Sequence, residues 1–181
     1  MNIITYNVRG LGRGIKWPAI RRLVNKQSID MICIQETEKE VIDKSMGQAL
    51  WGNFEVSWEA QEASNSAGRI LCLWSKNSFK LERKVIGQGF IMLVGKWQQE
   101  TQPIHIITLY SLCDIQNKRV LWKNVKQLKI QNQGGLWCIQ GDFNNIRLES
   151  ERVGICIRGW GESHINEFNE WIGDLEVEEV P

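Results

Sequence analysis

Four short apolar runs in this chain each end in an oxygen-bearing side chain, and those ends are where chemistry can be done. Asn7 follows residues 3–6. Glu36 follows residues 31–34, in Ile34-Gln35-Glu36-Thr37. Tyr110 follows residues 104–109, and Asp142 follows residues 136–140, in Gly141-Asp142-Phe143-Asn144. An amide oxygen, two carboxylates and a phenol form an oxygen-only set. Such a set suits a hard cation such as Mg²⁺, which takes one or two carboxylates and keeps waters for a substrate phosphate. Asp142 and Asn144 are two residues apart and face one side if the chain is extended there. Singly, each residue has a plainer reading: Asn and Asp form turns after strands, Glu36 starts a solvated helix, and Tyr110 ends a strand. The joint pattern carries the argument.

The elements that must position these residues follow from hydrophobic period. Buried strands are expected at residues 3–6 and 31–34, and further strands at 70–74, 79–86, 90–97, 104–109 and 136–139. Phe54, Val56 and Trp58 alternate with polar residues and predict a half-buried strand over 54–58. A first helix carries Pro18 in its first turn and Ile20, Leu23 and Val24 on one face. A second presents Ile42, Met46, Ala49 and Leu50. Asp114 is the expected N-cap of a third, with Leu121, Val125 and Leu128 inward, and Ser163 that of a fourth, with Ile165, Phe168 and Ile172 inward. Strands and helices interleave, so the class is α/β or α+β with a layered core. Polar residues at strand termini then point into the crevice outside a sheet, where ligands bind without disrupting the core.

Composition narrows the field. A chain of 181 residues is read as one domain spanning 1–181. The net charge of +1 gives no bulk attraction to nucleic acid, so a polyanion must be held by a local patch or a bound cation. Five scattered cysteines without a C-x-x-C pair, and only two histidines, argue against zinc and for a reducing, intracellular compartment. No apolar run is long enough to span a membrane, no secretory leader is expected before Ile3, and no obligate protein partner is evident. Most of the nine tryptophans are expected in the core, among them Trp58, Trp74, Trp97 and Trp137.

The residues flanking the strand ends carry a resemblance. Asn7-Val8-Arg9-Gly10-Leu11, Ile34-Gln35-Glu36-Thr37, Gly68-Arg69-Ile70-Leu71-Cys72-Leu73-Trp74, Leu109-Tyr110-Ser111 and Gly141-Asp142-Phe143-Asn144 stand in one order along essentially the whole chain. That order resembles the endonuclease/exonuclease/phosphatase superfamily, with its deoxyribonuclease I-like fold. The run from Asn7 to Gly14, the tryptophan-rich middle and Glu151-Arg152-Val153-Gly154 look most like the apurinic-type endonuclease domain of plant LINE retrotransposons. The resemblance implies a four-layer α-β-β-α sandwich, two packed mixed sheets flanked by helices, that cleaves phosphate esters with Mg²⁺ or Mn²⁺. It implies Glu36 as main metal ligand with Asn7 beside it. Tyr110 would hydrogen-bond the scissile phosphate, Asp142 would orient or deprotonate the attacking water, and Asn144 would hold the phosphate and Asp142 in register.

One departure matters most. The family's site also uses a histidine paired with an aspartate near the domain's C-terminus, and no such Ser-Asp-His segment occurs here. The expectation is a domain incomplete at its C-terminus, with its last strands missing and its activity weak or lost. His105 differs in parity from Tyr110 and is expected on the opposite face of its strand. The loop Gly10-Leu11-Gly12-Arg13-Gly14 mimics a dinucleotide fingerprint, but Ile15 stands where the third glycine belongs. Arg9, Arg13 and Lys16, with Arg21, Arg22 and Lys26, crowd the first helical region and are the candidate DNA-phosphate contacts. Three functions stay open at this point: a metal-dependent phosphodiesterase acting on DNA, a dead remnant that still binds metal or nucleic acid, and a phosphatase of small or lipid phosphates. Nuclear localisation follows only from the DNA reading.

Overall fold

The computed structural model describes residues 1–12, 14–61, 69–151 and 162–180; Arg13, Gly68 and Arg152-Val153-Gly154 lie outside them. The described elements run β1 (Ile3–Asn7), α1 (Trp17–Lys26), β2 (Met31–Gln35), α2 (Lys44–Trp51), β3 (Val56–Ala60), β4 (Leu71–Ser75), β5 (Phe79–Gly87), β6 (Phe90–Trp97), β7 (Pro103–Tyr110), α3 (Ile115–Gln131), β8 (Leu136–Asp142) and α4 (Glu162–Asp174). They build two four-stranded sheets, ordered β1-β2-β4-β3 and β5-β6-β7-β8. Each sheet is mixed: β1 runs parallel to β2 and β7 parallel to β8, while the other pairs are antiparallel.

Strand period two explains the layers. In β2, Ile32 and Ile34 face a cluster with Ile20 and Val24 of α1 and Leu50 of α2. Their neighbours Met31 and Cys33 face the other way, into a layer between the sheets with Cys72, Ile91, Leu93, Ile104 and Ile106. In β7, Ile107 and Leu109 turn outward to Leu121, Trp122 and Val125 of α3 and to Phe168 and Trp171 of α4. The order is helices, sheet, sheet, helices, an α+β sandwich with both sheets covered. All five β2 residues are buried because both faces of that strand are covered. Truncating such an enclosed side chain, Ile32→Ala for example, costs about 2–5 kcal/mol.

Capping sets the helix starts. Asp43 accepts the Met46 N–H at 2.7 Å and Asp114 accepts that of Asn117 at 2.9 Å. Two expectations are corrected. The strand expected over 54–58 begins at Val56, and Phe54 is 74% exposed. Gly52 closes α2 in the left-handed region, and the Asn53 side chain takes the Glu55 N–H at 2.9 Å, so residues 53–55 form a turn. Ser163 is an exposed residue within the first turn of α4, which is already helical at Glu162. Among the described residues no helix is long and apolar enough to cross a membrane.

Candidate active site

Two parallel pairings bring the candidate residues to one rim. In the β1–β2 pair Asn7 stands beside Gln35, so Glu36 follows at the carboxyl end of β2. In the β7–β8 pair Tyr110 stands beside Asp142. Both pairs point their carboxyl ends the same way, and the crevice beyond such ends is where polar side chains collect. The bond that joins the two sheets there comes from Asn7. Its Nδ2 donates to Glu36 Oε1 and to Asp142 Oδ2, each at 2.9 Å. Its Oδ1 accepts the backbone N–H of Arg9 at 3.1 Å, which fixes the amide.

The other members close around this bridge. The Tyr110 hydroxyl donates to Glu36; burial, that bond and the nearby Glu36 and Asp142 charges push its pKa up to about 12. It therefore stays a protonated donor across the working pH range. Asp142 Oδ1 accepts the Asn144 backbone N–H at 3.0 Å, so both Asp142 oxygens are held. The Asn144 side-chain amide donates inward to the Ser111 carbonyl at 2.6 Å rather than into the crevice. The structure thus brings Asn7, Glu36, Tyr110, Asp142 and Asn144 together, with the Asn144 amide engaged inside the protein.

Backbone strain concentrates here. Arg9, Glu36 and Asn144 have φ of 48°, 54° and 46°, a region that costs a non-glycine residue about 1–2 kcal/mol. The turn at Glu36 lets its carbonyl accept the Gly10 N–H at 2.7 Å, and Thr37 accepts the Leu11 N–H at 3.0 Å, lacing the glycine loop to β2. Below the rim, Gln140 Nε2 reaches Cys33 Sγ at 3.2 Å and Thr108 Oγ1 at 3.5 Å, a second polar tie between the sheets. Burial pushes the Cys33 thiol up, so it stays protonated.

The basic candidates divide. Arg9 is exposed beside Asn7. The Lys16 ammonium turns back onto the Val8 carbonyl and, at 3.0 Å, the Arg9 carbonyl, where it braces the loop. Arg13 is outside the described residues. Arg21, Arg22 and Lys26 are exposed on α1 and line an open cleft with Pro18 and Asn25. His105 lies near the opposite end of β7, stacked on Trp137 at 4.4 Å and facing the α3 side, as strand parity requires. His164 sits on α4, where its charge acts on Glu167. The gathered set contains no histidine.

One member was not anticipated from sequence. Lys118 of α3 is fully buried, and its ammonium donates to the Asn144 carbonyl and to Asn145 Oδ1. Burial lowers its pKa to about 8, while Cys113 and Asp142 act in the opposite direction. The available signal was helical period: extending Leu121, Val125 and Leu128 back one turn reaches position 118.

Among the described residues no three His, Cys, Asp or Glu side chains form a ready metal cluster. The donor set nonetheless fits a hard cation in kind. Two carboxylates share one point, and the Asn7 NH₂ donates to both of them there. Mg²⁺ needs only one or two carboxylates and completes its shell with water and substrate.

No family model matches the chain, and no curated protein does. Solved structures match in fold. The AP endonuclease LMAP from Leishmania major superposes with a TM-score of 0.69 at 13% identity, covering 96% of this chain and 66% of that one. An endonuclease/exonuclease/phosphatase family protein from Bacteroides thetaiotaomicron gives 0.56 at 15% identity over 78% of this chain and 61% of its own. D. rerio TDP2 complexed with a single-strand DNA product gives 0.57 at 18% identity over 80% and 60%. The sandwich is therefore the deoxyribonuclease I-like fold, and its structural neighbours are endonuclease/exonuclease/phosphatase family members. The chain spans about two thirds of their length or less.

Proposed function

We propose that this chain is a divalent-cation-dependent phosphodiesterase acting on DNA, of the apurinic-type endonuclease kind found in plant LINE retroelements. The observation that carries the reading is the Asn7 bridge, which draws Glu36 of one sheet and Asp142 of the other to a single point. A nuclease needs positive charge at such a point, since the phosphate it cleaves is anionic. Glu36 would hold Mg²⁺ or Mn²⁺, with Asn7 beside it as a ligand once its amide turns its oxygen from the Arg9 N–H to the ion, and the ion would neutralise the phosphate and acidify water.

The remaining roles fall to the chain's own groups. Asp142, fixed through both oxygens, accepts the proton of the attacking water. Tyr110 donates to a phosphoryl oxygen in place of Glu36. Asn144 holds Asp142 through its backbone N–H. Arg9 supports a nucleic-acid substrate, as does the DNA product bound by the TDP2 neighbour; a nuclear site of action follows from that substrate. With no histidine in the set, proton transfer rests on Asp142, and turnover should be lower by about 10²–10⁴-fold than with a second acid–base group.

Supercoiled plasmid tests this directly. Mg²⁺-dependent nicking that disappears in Glu36→Ala supports the reading; nicking untouched by that change sinks it. A cation-dependent rise in melting temperature without nicking identifies the second reading, a binding remnant. The inward-turned Asn144 amide favours that alternative.

A further inference from the structure

We propose that Lys118 is a positioning residue for this site: its buried ammonium clamps the turn of residues 142–145 and thereby sets the Asp142 carboxylate. The proposal deepens the phosphodiesterase reading and rests on it for the purpose of the turn.

Position 118 faces the core one turn before Leu121 and Trp122, a place where an apolar side chain would be cheaper to bury. An ammonium there needs acceptors. It finds the Asn144 carbonyl and Asn145 Oδ1, both on the turn that leaves β8. The same turn holds Asn144 at φ 46°, a conformation that asparagine tolerates but does not prefer. Its N–H must be aimed there to reach Asp142 Oδ1 at 3.0 Å, and its side chain to reach the Ser111 carbonyl at 2.6 Å. Lys118 thus holds the carbonyl of the residue whose N–H orients Asp142. Among the described residues, Cys113 and Asp142 both favour the charged form of the ammonium. A residue serving the core alone would not be a cation anchored to two consecutive residues of the active-site turn.

The test compares the full chain with Lys118→Met, which keeps length and packing and removes the donors. Two quantities are read: amide hydrogen exchange at Asn144, and the kcat and KM of Mg²⁺-dependent plasmid nicking. The expected result is a chain that still folds, with a melting temperature lowered by the hydrogen bonds lost at the Asn144 carbonyl and Asn145 Oδ1. Protection at Asn144 falls by about tenfold or more, and kcat falls by about 10–100-fold with KM within about twofold. Lys123→Met, exposed on the same helix, changes none of these. Unchanged exchange at Asn144 overturns the proposal, whatever happens to kcat. Lost protection with unchanged kcat overturns it too, because the turn would then be structural only. If the parent chain does not nick DNA, the phosphodiesterase reading fails on that result, and exchange alone decides the clamp. Should Lys118→Met not fold, Asn145→Ala removes one acceptor and is judged by the same readouts, with a smaller loss expected.

Discussion

Asn7 and Asp142 are 135 residues apart in sequence, yet the Asn7 amide donates to the Asp142 carboxylate at 2.9 Å. The same nitrogen donates to Glu36 at the same distance. One neutral amide therefore screens two carboxylates and links the ends of two sheets. Such an arrangement is stable as it stands and is also electrostatically primed, because a cation at that point gains more than the two N–H groups supply.

Asn7→Asp separates these roles. The substitution removes both donors and adds a third carboxylate at nearly constant volume. Without divalent cation it should destabilise the fold by about 1–3 kcal/mol through repulsion and lost hydrogen bonds. Millimolar Mg²⁺ should restore that loss, and the melting shift on adding Mg²⁺ should exceed that of the parent chain. Urea unfolding with and without Mg²⁺ reads both quantities. A variant equally stable in the two conditions would show that no cation enters between Glu36 and position 7.

Tyr110 offers a spectroscopic handle, since Tyr6 is the only other tyrosine. In a Tyr6→Phe background, ultraviolet absorbance titrates Tyr110 alone, and its midpoint should lie near pH 12. Glu36→Gln removes a hydrogen-bonded charge and should lower the midpoint by about one unit, leaving the burial contribution. The folded state holds this proton more tightly than the unfolded chain does. The stability it contributes is full below pH 10 and is lost as pH rises towards 12. Comparing urea midpoints with and without Tyr110→Phe across that range checks the sign. A titration midpoint at the ordinary tyrosine value would mean the hydroxyl is not beside Glu36. On the phosphodiesterase reading, Tyr110→Phe should also cut turnover by about 10–100-fold.

Strand ends were legible because period-two burial leaves a distinct mark where an apolar run meets a carboxylate or amide. The same parity placed His105 away from Tyr110, and the structure agrees. Phe54 misled because alternation alone cannot distinguish a strand from a turn held by Asn53; the side-chain bond to Glu55 is a local competitor that apolar spacing does not register. Lys16 looked like a phosphate contact from charge and proximity, but a long ammonium can equally well satisfy loop carbonyls, and here it does. Lys118 was hidden for the opposite reason: helical period points position 118 inward, where a charged side chain is not expected. The acceptors on the turn give the buried ammonium partners there.

Gly141 is the backbone element on which the Tyr110–Asp142 register depends, and it predicts a steep contrast with another glycine. Its φ is 131°, and an added Cβ would lie 2.0 Å from the Leu109 carbonyl oxygen and 2.8 Å from the Leu109 nitrogen. Both are backbone atoms of the neighbouring strand, so relief requires β7 and β8 to separate. Residues 109 and 141 are also register partners, one step before Tyr110 and Asp142. Gly141→Ala should therefore cost more than about 3 kcal/mol and displace Asp142 from the rim. Gly134 also has positive φ, 81°, but its Cβ would meet nothing within 4 Å. Gly134→Ala should cost only the backbone strain, about 1 kcal/mol. Urea midpoints measure both. Equal losses in the two variants would mean that β7 and β8 are not packed closely enough at Gly141 to set the site.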